Sequence, residues 1–157
     1  MVTSTLLSTC VVLHIIGLTM MAGTTLIDSI MYKQFWKQYN IDRTKAIGML
    51  EVTAKIALLF GTGFLLLLLS GVGIMLLTNG IYAEQICFKI KMMLVIIVIV
   101  NGLALGRRTG LQIRKNIAAG GTNTVQLTSL KKTLSFFHLL QLTLFIAIFV
   151  MGVFKFN

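Results

Sequence analysis

The residues best equipped for chemistry in this chain sit in its oiliest surroundings. "HIIGLTMMAGTTLID", residues 14–28, opens on one of the 2 histidines and closes on one of the 4 acidic residues, and almost everything between is apolar. Cys10, His14, Gly17, Met21, Thr24 and Asp28 recur at steps of four, three, four, three and four. That spacing holds them on one face of a helix. An imidazole is a good ligand for haem iron, and an ionisable residue inside an apolar helix is costly and usually has a task. Gly17 on the same stripe permits close approach of a neighbouring helix or of a flat ligand. Two readings follow. The stripe is a packing seam with His14 hydrogen-bonded to a neighbouring helix, or it is one wall of a cofactor site in which Gly17 and Met21 flank an iron ligand at His14.

Two further residues bear on that choice. Lys91, in "CFKIKMMLVIIVIV", either snorkels to the surface or turns its amine toward His14, where a neutral amine can serve as second axial ligand. His138, in "FFHLLQ", is the other histidine and the second candidate for iron.

These residues need elements to hold them. The chain of 157 residues is 57% hydrophobic and only 11% charged, with a mean hydropathy of +0.93. A soluble domain of this length requires far more polar surface. Four apolar blocks, about 5–32, 52–77, 86–106 and 134–154, each reach the roughly 20 residues a helix needs to cross a bilayer. They do not alternate as membrane barrel strands do, and the absence of proline favours unbroken helices. The expectation is a single all-α domain over 1–157, an integral membrane four-helix up-down bundle. No basic segment precedes the first apolar run, so a cleaved signal peptide is not expected. No internal repeat stands out.

Charge orients the bundle. The first loop holds Lys33, Lys37, Arg43 and Lys45, and the third holds Arg107, Arg108, Arg114, Lys115, Lys131 and Lys132. The second loop and the ends carry few cations beyond Lys89, Lys91 and Lys155. The positive-inside rule puts the basic loops in the cytoplasm of a bacterial-type inner membrane, with both termini outside. Topogenesis and contact with anionic lipid account for the net charge of +10 better than nucleic acid does. "NIAAGGTNT" reads as a flexible turn, without the lysine or preceding strand of a phosphate loop.

Depth along the helices separates two polar layers. Asp28, Lys55, Asn101 and His138 lie toward the cytoplasmic side, with Glu51 and Arg107 nearer the surface. Cys10, His14 and Lys91 lie toward the outer side. The inner layer reads as structural, with Asp28 paired to Lys55 and Asn101 and His138 completing a hydrogen-bonded network; a proton path or second ligand site is the other reading. His14 and His138 differ in depth by about 10 Å, too much for the two axial ligands of one upright haem.

"LHIIGLTMMAG" and "FKIKMMLVIIVIVNGLALGRR", together with the four-helix layout, resemble the HemJ-type protoporphyrinogen oxidases and the membrane domain of CopD copper-resistance proteins. That resemblance implies a b-type haem held by His14 and Lys91. This chain has Met21 where those families usually have tryptophan, and Lys33 and Gln34 near where the oxidases have a further histidine. Haem binding is thus the transferable part of the resemblance, and porphyrinogen oxidation is not.

Other chemistry is poorly supplied. Four acidic residues in all (Asp28, Asp42, Glu51 and Glu84) leave little for a carboxylate metal cage. There is no CxxC pair for zinc and no Ser-His-acid grouping. Cys10 is too deep to favour a bridge to Cys87, and the Met20–Met21 and Met92–Met93 doublets suit core filling better than a copper path. Two function classes remain: a haem-b membrane protein with an oxidoreductase-like electron-transfer or porphyrin-related role, and a cofactor-free helical subunit or accessory of a larger membrane complex, with other subunits or copies of itself as partners.

The charge asymmetry makes a direct prediction. A cysteine introduced into the third loop stays unlabelled by an impermeant reagent in intact cells and is labelled after permeabilisation; labelling from outside overturns the orientation.

Overall fold

The computed structural model describes residues 2–81, 84–118 and 124–153. All regular structure among them is helical: α1 (Val2–Tyr39), α2 (Arg43–Leu77), α3 (Ile86–Asn101), a π-helical segment (Gly102–Arg107), α4 (Arg108–Ala118) and α5 (Thr124–Val153). Four stretches, Thr3–Tyr39, Arg43–Leu77, Ile86–Ile117 and Gln126–Gly152, are long and apolar enough to cross a membrane. The protein is therefore an all-α, multi-pass membrane protein. It falls into two compact units, Met1–Ile90 and Lys91–Lys155. Phe154 and Lys155, and part of "NIAAGGTNT", lie outside the described residues.

The helices outrun the apolar blocks. At 38 and 35 residues, α1 and α2 each exceed 50 Å at about 1.5 Å per residue, against a hydrocarbon core of about 30 Å. What reads as a first loop is helix almost throughout, with only residues 40–42 between α1 and α2. The cause is a helical apolar period that continues beneath the charges. Tyr32 and Phe35 on α1, and Ala46, Leu50 and Thr53 on α2, are buried. Phe35 meets Trp36 edge-on with centroids 4.9 Å apart and lies 5.6 Å from the Tyr39 ring. Arg43 caps the cluster, its guanidinium 5.7 Å from the Tyr39 centroid. Tyr and Trp belong at such boundaries because their rings are apolar and their edges polar.

Asp42 makes the turn possible. It sits in extended backbone as the N-cap of α2, and its carboxylate accepts from the Thr44 and Lys45 backbone N–H groups at 3.1 and 3.2 Å. Helix N-termini leave such donors unsatisfied, and aspartate is among the best caps. At the other end α2 unwinds through Asn79 and Gly80, both at positive φ, with Gly80 N–H returning to Met75 C=O at 3.0 Å. Asparagine and glycine are the residues that tolerate this helix exit.

The second unit is also a helical hairpin. The third apolar block does not stop at Gly106; α3 passes through the π turn into α4. Thr109, Ile113 and Ile117 are buried one turn apart on α4, as are Leu127, Leu130 and Leu134 on α5. The antiparallel register is marked by Asn101 beside Gln141 and by Gly106 beneath the Phe137 ring. The π turn explains how both marks are met. Residues five apart diverge by about 140° in an α-helix but share a face under i→i+5 winding. One π turn therefore points both Asn101 and Gly106 at α5.

The Lys45 backbone N–H is the main cause holding the Asp42 carboxyl below its ordinary value of 3.8, aided by the Lys45 ammonium. A depressed carboxyl contributes stability that is present above the unfolded-state value and lost as pH falls through the lower folded-state value. Asp42→Ala therefore lowers Tm in detergent at about pH 7, and the gap to wild type narrows near pH 3. Asp42→Asn, which keeps a capping oxygen, loses less. A gap unchanged on acidification overturns this account of the cap.

Candidate functional site

The α1 stripe faces α2, and α2 meets it with its small residues. A Cβ on Gly17 would lie 2.8 Å from Leu67 N and 2.9 Å from Gly63 O, and one on Gly63 would lie 2.9 Å from Met20 Cβ and 3.3 Å from Met21 Cγ. The two backbones thus touch. Above this point Gly71 leaves room for the His14 ring, whose Cε1 is 3.3 Å from the position of the missing Cβ, and Gly73 does the same for Cys10 Sγ at 3.0 Å. Of the two neighbours that Gly17 permits by sequence, a helix or a flat ligand, the α2 backbone lies beside it. Met21 is buried in the same seam. Both residues shape the helix contact that holds His14, Gly17 one turn from it and Met21 two.

His14 is half-buried and bonded to α2 through Nδ1. Nδ1 lies 3.1 Å from Leu67 O and 3.1 Å from Ser70 Oγ. A carbonyl only accepts, so Nδ1 carries hydrogen. The Ser70 hydroxyl donates to Leu66 O at 2.6 Å, which leaves its oxygen lone pairs to accept from the ring. In the neutral imidazole this fixes the tautomer, with the lone pair on Nε2.

Further along the stripe the polar groups are satisfied locally. Thr24 donates to Met20 O at 2.7 Å and Thr25 to Met21 O at 2.8 Å, the back-bonding by which hydroxyls live in apolar helices. Extending the seam's register brings Asp28 level with Ile56, beside Lys55. Asp28 is half-buried, and Lys55 stands exposed on the outward side of α2.

The second unit holds another polar cluster. Asn101 donates from Nδ2 to Gln141 Oε1 at 2.7 Å and reaches Phe137 O at 3.5 Å. Gln141 donates from Nε2 to Val98 O at 3.5 Å. Asn101 Oδ1 is buried with no hydrogen-bond partner. The amide that Asn101 finds is thus Gln141 and not His138, whose buried ring lies 4.9 Å from that of Phe137. Lys91 is half-buried at the start of this unit.

Sequence reading passed over Gln141 and Ser70. Each had a signal. Gln141 is the sole amide in the last apolar block, and Ser70 directly follows a run of five leucines. Neither Cys10 nor Cys87 is in a disulfide. Among the described residues no group of three or more His, Cys, Asp or Glu side chains converges. No family model, curated protein or solved structure matches the chain.

The Asn101–Gln141 pair makes a quantitative prediction. Asn101→Leu or Gln141→Leu alone strands a buried amide and costs about 1–3 kcal/mol. The double replacement costs less than the sum of the two, because it leaves neither amide behind. Unfolding in mixed detergent micelles measures this, and additive losses overturn the pairing.

Proposed function

We propose that the protein is a haem-b-binding integral membrane protein in which His14 Nε2 ligates the iron, with an electron-transfer or porphyrin-related redox role in a bacterial-type inner membrane and the basic loops in the cytoplasm. The observation that carries this reading is the bond from His14 Nδ1 to the Leu67 carbonyl. Metal-ligating histidines almost always donate their other ring N–H to a carbonyl or carboxylate, which fixes the tautomer and raises the basicity of the ligating nitrogen. Ser70 adds a second acceptor for the same hydrogen. Gly71 and the Gly17–Gly63 contact hold the ring against α2, so its orientation is set before any ligand arrives. A haem bound there would supply a one-electron iron couple. By resemblance to the HemJ-type and CopD-like proteins, Lys91 would be the second residue to hold the haem.

A second reading rests on the same seam. His14 bonds α1 to α2, and in a cofactor-free subunit of a larger complex that clasp would be its whole task. The Gly17–Gly63 backbone contact favours it, since it needs no ligand to account for it.

The experiment separates the two. Purified after haem-replete expression, the wild type shows a Soret band and sharp reduced α and β bands. His14→Ala abolishes them while the protein stays folded in the membrane. Lys91→Met shifts the spectrum without removing it. Ser70→Ala keeps the haem and moves the reduction potential upward, because the ring loses an acceptor that raised its basicity. A colourless stoichiometric wild-type preparation overturns the haem reading, and a full spectrum in His14→Ala overturns the ligand, leaving His138 as the remaining histidine.

A further inference from the structure

The two amides of the second hairpin fix each other's orientation. Gln141 is fully buried and Asn101 is 5% exposed. The Val98 and Phe137 carbonyls can only accept, so each faces an amide nitrogen. Val98 O faces Gln141 Nε2 and Phe137 O faces Asn101 Nδ2, both at 3.5 Å. With the nitrogens so placed, Gln141 Oε1 takes the other hydrogen of Asn101 Nδ2 at 2.7 Å. Turning the Asn101 amide over would set its oxygen against Phe137 O and Gln141 Oε1. Turning Gln141 over as well would set Oε1 against Val98 O. The network itself therefore leaves one acceptor over. Asn101 Oδ1 is buried, with no donor among the described residues.

The surroundings decide what donor suits it. A buried acceptor without a donor is costly. The Val98 and Phe137 carbonyls each have a lone pair that a side chain reaches only at 3.5 Å, beyond the usual limit of about 3.2 Å. Three acceptors thus meet around two amides, and all call for hydrogen. A metal cation does not suit the place. The amide N–H groups crowd it, and from Gln85 to the C-terminus the sequence has no Asp or Glu to offset a charge in apolar surroundings. A bulky donor does not suit it either, because Val98 and Phe137, which bond the pair, are themselves buried. Water is the smallest donor and brings two hydrogens. A buried water needs at least two polar partners, and Oδ1 with one carbonyl supplies them. Asn101 also stands at an irregularity of its helix, since the π segment Gly102–Arg107 begins at the next residue. Ordered water is one of the means by which polar groups are satisfied at such places in membrane helices.

We propose that the Asn101–Gln141 cluster is a binding site for a single water molecule, which donates one hydrogen to Asn101 Oδ1 and the other to the Phe137 or the Val98 carbonyl. The water completes the network that the two amides alone leave open. This site is independent of His14 and of any haem.

The test is nuclear magnetic resonance on the full chain in lipid nanodiscs. Val100–Asn101 is the only Val-Asn step in the sequence, so heavy-carbon valine with heavy-nitrogen asparagine singles out Asn101 without any substitution. The Asn101 side-chain NH2 group shows a dipolar cross-peak at the water frequency, with the sign of a long-lived contact. The backbone N–H of Leu144, buried one turn further along α5, shows none. Exchanging sodium for choline in the buffer leaves the Asn101 signal where it is. A missing water cross-peak overturns the site, as does one that arises by hydrogen exchange alone or one of equal strength at Leu144. A cross-peak to lipid protons in place of water, or a sodium-dependent shift of the Asn101 signal, overturns water as the occupant.

Discussion

The first hairpin depends on two backbones being allowed to touch. Between helices in lipid there is little hydrophobic drive, because acyl chains are as apolar as leucine; close packing and interhelical hydrogen bonds must supply the association. Gly17 and Gly63 supply the closeness. Any side chain at either position would have to occupy space within 3 Å of the other helix. Only at that separation does a ring as short as imidazole reach a main-chain carbonyl of α2 at 3.1 Å. Leu67 O is a helix carbonyl with a second lone pair available, and the His14 bond uses it without opening the helix. The histidine bond therefore depends on the glycine contact, and the register that contact sets carries the rest of the stripe.

The second hairpin solves the same problem with different means. Its contact is made by an amide pair, Asn101 and Gln141, and by the Phe137 ring lying on Gly106. A regular α-helix cannot present both Asn101 and Gly106 to α5, and the π turn that follows Asn101 does so. This turn replaces i→i+4 bonding by the longer pattern over Gly102–Arg107. Asn101 Oδ1 has no hydrogen-bond partner, so the amide pair is not a fully satisfied network.

What was legible in the sequence divides along physical lines. Hydropathy located the membrane-crossing stretches, because transfer into lipid depends on composition over about 20 residues. It placed the helix ends badly, because a helix does not stop where its surface becomes polar. Lys33 to Tyr39 and Arg108 to Ala118 are charged on one face and buried on the other through Phe35, Ile113 and Ile117. The stripe on α1 was legible because its polar residues are rare and spaced by the helical period. Its counterpart on α2 was not, because Gly63, Gly71 and Gly73 present no chemistry and a run of leucines hides the face that Ser70 marks. The π turn has no signature in "GLALGR". It is forced by what α5 presents, a tertiary demand that a single helix cannot announce.

The two readings of His14 differ less than they seem to, because they use different nitrogens. The clasp uses Nδ1, with Leu67 and Ser70 as acceptors. Ligation uses the nitrogen whose lone pair that clasp defines. Imidazole brings a second nitrogen on the far edge of the ring, and the Nδ1 bond sets the angle at which that nitrogen is held.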